Sequence, residues 1–428
     1  MNQLDGITSW IVCLCVVMTN SILFGTMFIY GIFFPFLLKE FQESKSRTAL
    51  VASLSMGVHT LIGPISSKIC LTLGFRNAMI LAGLVSASGL LGSSFAPNLY
   101  ILYLGYGLAL GFSVSVVYVG AFQIIPLYFD RHRFLATGVL AVGPGAGPLI
   151  MSTIVQAILD HIDWRKTMMV LAGMQLLPCL LGCTISRRNE RIKNERIVGQ
   201  AASLLTKERL CKCLSLLDFT LLRDPLFMMI SISFAISILG NYTPYFHLAQ
   251  YAAELGIPGE SSSWMYFSIG TGSMVFRILT GKLLDTGLIP PLRLYQLAMI
   301  VFTIAHFLVP LTKNFVLLVV YSSVNGICDG IFVTAALCMI LKAYPGMGLG
   351  WALCFQGFSF LICPVLAGFI SDVSGSYHPV FFTAAGIQLL SICLIQTTQW
   401  IKRNTRTQEE LKILEQEDLI IVERETVI

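Results

Sequence analysis

The sequence predicts an all-α membrane protein, twelve transmembrane helices arranged as two six-helix bundles. Three observations carry that prediction. Hydrophobic residues make up 55% of the 428-residue chain and charged residues only 12%, whereas a water-facing globular surface needs roughly 25% charged residues. Apolar runs of about 20 residues, the length that crosses a hydrocarbon core of ~30 Å, recur twelve times along the chain. A single long basic segment, 187–223, with nine Lys/Arg against four acids, separates six of those runs from the other six.

The chain therefore divides into an N-terminal bundle (1–186), a cytoplasmic basic linker (187–223), a C-terminal bundle (224–400) and a cytoplasmic tail (401–428). The expected spans are 9–33, 49–70, 76–95, 99–122, 134–159, 166–186, 225–248, 263–285, 293–312, 315–341, 348–370 and 379–400. The first carries no charge. The second and eighth end in matching Gly-rich basic turns, GPISSKICLTLGFR (63–76) and FRILTGKLLDTGLIPPLR (276–293), a weak echo between the halves. The fifth follows the basic turn Arg131-His132-Arg133 and carries Gly138, Gly143, Gly145 and Gly147, read as lying near one face, with Pro144 and Pro148 among them. Glycine lets two helix backbones approach closely in lipid, and neighbouring helices can satisfy the carbonyls that a proline frees.

Orientation follows from where the cations fall. Lys68, Arg76, Arg131, Arg133, Lys282, Arg293, Lys342, the linker and the tail share one side; Lys39, Lys45, Arg47, Arg165, Lys166 and Lys313 share the other. Both termini are thus expected in the cytoplasm. The net charge of +5 sits in loops, which removes it as a nucleic-acid footprint. The first ten residues, MNQLDGITSW, lack a basic n-region, and no small-residue cleavage site follows, so the first span is expected to stay in the bilayer. Most of the twelve cysteines lie inside apolar runs, where cysteine acts as a small hydrophobe. No C-x-x-C pair occurs, and neither a metal nor a cofactor is expected. Cys211 and Cys213 in the linker are either spectators or lipid acceptors.

Two bundles with echoing turns resemble the major facilitator superfamily, which implies parallel repeats rocking about a midplane site. Within it, the chain resembles the monocarboxylate transporter family. Asp5-Gly6-Ile7-Thr8-Ser9-Trp10 keeps the acid, the Gly and the final Trp of one family signature. Tyr128, Phe129, Arg131, Leu135, Ala136, Gly138, Gly143 and Gly147 fit a second, more specific one. Trp164-Arg165, and Gly368 with Asp372, also look like family features. The departures bear on the solute. The lysine that proton–lactate carriers hold in the first span is absent, and Ser273 stands where they place an Asp four residues before the eighth-span Arg, here Arg277. Ordinary proton–lactate symport fits this pattern poorly.

Arg277 is the leading candidate for the substrate site. A guanidinium at mid-bilayer is unfavourable by at least about 2.5–3.5 kcal/mol unless it meets a partner or a watery cavity. Its planar fork binds a carboxylate bidentately. Its mate is therefore either a solute carboxylate or a fixed acid that ties two helices together. Asp329 in the tenth span lies within about 6 Å of the same depth, from the residue counts and the rise of a helix. It is expected either as Arg277's counter-ion and the proton-coupling group, or as a structural Asp beside Gly326 and Gly330. Asn20, which faces either substrate or a neighbouring helix, and Asn241, Tyr242 and Tyr245 beside the helix-breaking Pro244 complete the expected substrate set. His59 is read as a packed histidine. Asp5, Arg131, Gly138, Gly143 and Gly147 are expected to belong to the moving, gating parts.

The expected function is a secondary transporter that moves a small monocarboxylate or carboxylate-bearing organic solute across the plasma membrane by alternating access, with proton coupling left open. The competitor on the same fold is a non-transporting solute receptor or sensor. An intramembrane enzyme lacks support, since no span carries a nucleophile–base pair or a metal-spaced set of ligands. The resemblance also implies a single-span immunoglobulin-like accessory protein as partner.

Overall fold

A computed structural model describes residues 4–182 and 219–397. The expected linker, apart from 219–223, and the expected tail lie outside the described residues. The first half is built from α1 (Ile7–Phe41), α2 (Lys45–Leu61 and Gly63–Leu73), α3 (Phe75–Ser94), α4 (Leu99–Tyr128), α5 (Arg133–Leu159) and α6 (Trp164–Met174 and Leu177–Gly182). The second half holds α7 (Pro225–Asn241 and Thr243–Glu254), α8 (Gly259–Asp285), α9 (Pro291–Leu308), α10 (Phe315–Ala343), α11 (Gly348–Ser374) and α12 (His378–Thr397). Among the described residues each of the twelve expected spans falls on helix, the ends of the sixth (183–186) and twelfth (398–400) lying outside them.

Polar residues in the connecting turns start the helices. Asn314 accepts from the Val316 N–H at 2.8 Å, and Asp224 accepts from Leu226 at 2.9 Å with Pro225 in the first helical position. Each side-chain oxygen satisfies an N–H that has no carbonyl one turn back. Several helices outrun the expected spans. The first extends to Phe41, the fourth to Tyr128 and the seventh to Glu254. Apolar runs mark the depth of the hydrocarbon, whereas the helix continues through amphipathic residues on either side of it.

Prolines set the breaks. The two parts of α2 bend by 58° at Ile62, just before Gly63-Pro64. In α7 the break falls at Tyr242, two residues before Pro244. A proline cannot donate to the carbonyl four residues back, so the preceding turn loses its continuity.

Within the first half α1 packs on α5 and α3 on α4 and α6; within the second, α8 and α9 pack on α10 and α7 on α11. The halves meet along two seams, α5 with α8 and α2 with α11.

Candidate functional site

Asp329 sits at the middle of α10, and Arg277 sits on α8 about two turns before its end at Asp285. Two glycines let the helices close enough for the short Asp side chain to reach. A side chain at Gly330 would meet the Ser273 carbonyl at 2.5 Å and the Phe276 Cβ at 2.9 Å, and one at Gly326 would run into the Ile269 carbonyl. Arg277 Nη2 then lies 3.1 Å from Asp329 Oδ2. Ser273 donates its hydroxyl to the same oxygen at 2.6 Å. The serine that replaces the family's aspartate thus holds an aspartate supplied from the next helix. Arg277 Nη1 donates across the seam to the Ala141 carbonyl of α5, so this guanidinium joins the two halves.

The pair is unequally enclosed: the Arg277 side chain is 11% exposed and that of Asp329 only 2%. Arg277 Nε and Asp329 Oδ1 have no hydrogen-bond partner within the protein. A buried pair that loses one member is destabilised by about 3–5 kcal/mol, because the other charge is stranded. The site is therefore held by mutual need and still keeps one donor and one acceptor free.

Aromatic side chains surround it. Tyr118 of α4 and Tyr242 and Tyr245 of α7 lie within electrostatic reach of Arg277. Tyr242 stacks on Tyr245 at 5.0 Å between centroids and meets the edge of Phe360 at 4.8 Å. On the other side Tyr118 packs edge-on against Phe24 at 5.4 Å and His59 at 5.5 Å, with Phe24 and His59 4.9 Å apart. Tyr118 was not among the sequence candidates. One tyrosine in the apolar run FSVSVVYVGAF carries no signal of which face it takes.

Asn241, expected beside Tyr242 in the substrate set, lies elsewhere in the fold. It is fully buried, accepts from the Gln388 side chain and points its amide at the Met299 sulfur 3.8 Å away. Adjacent helical residues are about 100° apart, so the phase that turns Tyr242 toward the ion pair turns Asn241 into the core of its own half. Asn20 donates to the Val16 carbonyl at 3.1 Å, and its Cβ packs where a side chain on Gly143 would come within 2.9 Å. Its Oδ1 is buried without a partner.

The glycines of α5 do not share one face, as the sequence reading had them. Gly138 abuts the Arg277 carbonyl and Gly145 faces Met274, both on α8; Gly143 and Gly147 abut Val17 and Ser21 of α1. Spacings of seven and four residues select two stripes on one helix, and α5 is notched against both of its neighbours.

Asp5 caps α5. Its carboxylate accepts from the backbone N–H groups of Asp130 (3.2 Å), Arg131 (3.0 Å) and His132 (3.0 Å). Burial pushes this carboxyl up, but the three donors outweigh it and hold Asp5 below the usual carboxylate range. Arg131 takes part through its N–H, and its side chain is exposed. From the other half, Asp285 at the end of α8 accepts from Phe134 and Leu135, each at 2.9 Å. Two carboxylates from two halves thus converge on the positive end of one helix dipole.

A family model described as the Major Facilitator Superfamily matches residues 16–320 and 230–422. The chain belongs to that superfamily. It is 26% identical to Monocarboxylate transporter 12-B of Danio rerio over 95% of this chain and 90% of the relative. It is 28% identical to Monocarboxylate transporter 12 of Homo sapiens over 88% and 78%. The solved structure of the human organic anion transporter MFSD10 superposes with a TM-score of 0.67 at 16% identity, covering 90% of this chain and 99% of that one. That likeness speaks to the fold alone. As a major facilitator related to monocarboxylate transporters, the protein is a multi-pass secondary transporter.

Proposed function

We propose that this transporter moves a small organic carboxylate by alternating access, with Arg277 as the anchor for the carboxylate and Asp329 as the counter-ion that yields to it. One observation carries the reading: a guanidinium in the seam between the halves that is partly open, salt-bridged by one nitrogen and still has a free Nε. A solute carboxylate would take over the fork from Asp329. Protonation of Asp329 would neutralise the displaced acid and couple a proton to the solute. Tyr118, Tyr242 and Tyr245 would flank the rest of the solute.

The monocarboxylate names of its relatives support the solute class. The cationic loops support placing Asp5, Arg131 and Asp285 at a cytoplasmic face, with both termini inside. The family resemblance supports a plasma-membrane location and a single-span immunoglobulin-like partner, and the basic segment 187–223 acts in this reading as the tether between the bundles.

The test is an uptake screen in proteoliposomes, at two external pH values, of radiolabelled lactate, pyruvate, creatine, carnitine, aromatic amino acids and thyroid hormone. A hydrogen bond to a charged group contributes about 1.5–3 kcal/mol, so Arg277→Ala should reduce uptake of the active solute by about 10- to 100-fold. The double variant Arg277→Ala/Asp329→Asn removes both charges, so it should regain stability without regaining transport. Recovery of uptake in the double variant would reduce Arg277 to a structural pair and overturn the reading.

A further inference from the structure

In line with Asp329, α10 carries two further polar residues, Tyr321 and Asn325, that the transport reading does not use. Tyr321, Asn325 and Asp329 follow one another at four-residue intervals, which places them along one face of the helix. Tyr321 Oη, both amide atoms of Asn325 and Asp329 Oδ1 are each buried without a hydrogen-bond partner in the protein. Asn325 lies one turn from Tyr321, close enough for a loose side-chain hydrogen bond to its hydroxyl but not for one of ordinary geometry.

His306 on α9 stands at the far end, its ring edge-on to Tyr321 at 5.7 Å. Its Nδ1 lies 2.8 Å from the Phe302 carbonyl. A carbonyl can only accept, so Nδ1 carries the hydrogen and Nε2 presents a lone pair. That lone pair is buried and also unmatched. Five polar atoms in one file, enclosed and unmatched by protein, are the surroundings in which buried water is held, since enclosed polar groups take water where the protein offers them no partner.

We propose that this file is a hydrated proton path inside the second half, leading from His306 and Tyr321 to Asp329. The inference rests on the reading of Asp329 as the protonatable counter-ion. Tyr321 to Asp329 spans about 12 Å at 1.5 Å per residue. His306 and Tyr321 both lie within two turns of the membrane end opposite Asp285. A proton enters from water at that end and passes along hydrogen-bonded waters past the Tyr321 hydroxyl and the Asn325 amide. It binds Asp329 Oδ1, and the carboxylate becomes a neutral acid. Arg277 keeps its positive charge and is left for the solute carboxylate, so one proton accompanies one anion. When the solute leaves, the proton departs and the Arg277–Asp329 pair reforms.

The groups around each end limit what else could titrate. Arg277, Tyr118, Tyr242 and Tyr245 face Asp329. At the other end His306 packs against Tyr321 of α10 and Phe381 of α12, with Tyr251 of α7 against Phe381 and His378 beyond it.

The test uses the full-length protein in lipid and D2O as the probe. At acidic pH the carboxylic-acid stretch of Asp329 is identified in the infrared by its loss in Asp329→Asn, and its deuterium shift is followed after a switch to D2O. Tyr321→Phe, which removes only the hydroxyl, and Asn325→Leu should each slow that shift at least tenfold, and Asn325→Gln should restore the rate. If no band is lost in Asp329→Asn, the acid does not take up a proton, and the proposed coupling falls together with the path. If the band is present and shifts equally fast in Tyr321→Phe and Asn325→Leu, the coupling stands and the path alone is overturned.

Discussion

Between α5 and α8 the halves are joined by charge as well as by close backbone packing, while between α2 and α11 they touch mostly through backbone and small side chains. In the first seam Asp285 caps α5, Arg277 bonds the Ala141 carbonyl, and Gly138 and Gly281 bring the backbones together. In the second, Gly63 abuts Gly350, and Gly357 faces Thr60 and Leu61. Gln123 of α4 adds a neutral link beside it, donating to the Gly346 carbonyl ahead of α11 at 2.8 Å.

The echoing turns make the contrast informative. Counted back from the glycine of each turn, Gly287 and Gly74, the place of Asp285 is taken by Thr72. Thr72 directs its hydroxyl to the Lys68 carbonyl of its own helix at 2.9 Å and reaches nothing across the seam. A seam with charge in it responds to protons and anions; a seam of glycines responds only to shape. In the proposed reading the α5/α8 seam would be the one a solute switches, and α2/α11 the one that slides.

The largest effect should come from filling the charged seam. In Gly138→Ala the new Cβ would run into the Arg277 carbonyl, a backbone atom that cannot rotate away. Overpacking of this kind is unfavourable by about 1–3 kcal/mol, and here it displaces Arg277, the proposed substrate anchor. Uptake should fall by about 100-fold at that upper limit, and near-normal uptake would dissolve the distinction between the seams.

Asp285→Asn should act next. The amide keeps the shape and weakens the pull on Phe134 and Leu135, and caps of this kind contribute about 0.5–2 kcal/mol. Cys338 lies beneath this seam, buried and near Thr137. Its alkylation by a membrane-impermeant maleimide, read by mass spectrometry, should rise by about tenfold.

Asp5→Ala removes the cap that comes from α5's own half, so it should lower thermal stability by about 1 kcal/mol without raising Cys338 alkylation. The pH sign follows from the lowered folded value of Asp5. Its contribution is complete above the unfolded carboxylate value of about 3.9 and is lost as pH falls through the folded one. An unfolding profile of wild type against Asp5→Ala should therefore converge in acid; divergence there would contradict the capping account. Smallest of all, Gly357→Ala in the neutral seam meets the Thr60 Oγ1 at 2.8 Å and Leu61 Cδ2 at 2.9 Å. Both are side-chain atoms able to shift, so uptake should change by no more than about threefold.

Much of this was legible in the chain because lipid makes strict demands. Charge cannot be hidden there, so Arg277 and Asp329 announced themselves by type, and a residue count placed them at similar depth. Pro244 forecast the break in α7 because a missing N–H is a local fact, whereas the bend before Pro64 fell inside a run read as one continuous span. What stayed hidden was rotational phase. Asn241 and Tyr242 are neighbours in sequence and face different interiors, and the four glycines of α5 divide between two partner helices. Hydropathy alone cannot fix such phases where helices are apolar all round, since the pattern lacks the polar stripe that orients an amphipathic helix. Ser273 was legible only as a missing aspartate, because its partner comes from 56 residues away.

The Arg277 bond to the Ala141 carbonyl has one further consequence. In the proposed reading, the guanidinium that would bind the cargo is also a fastener between the two halves. In that reading the halves are latched by Nη1 of the same guanidinium whose Nη2 an arriving anion would take from Asp329. Loading would then be felt, through one side chain, at the contact that joins the halves.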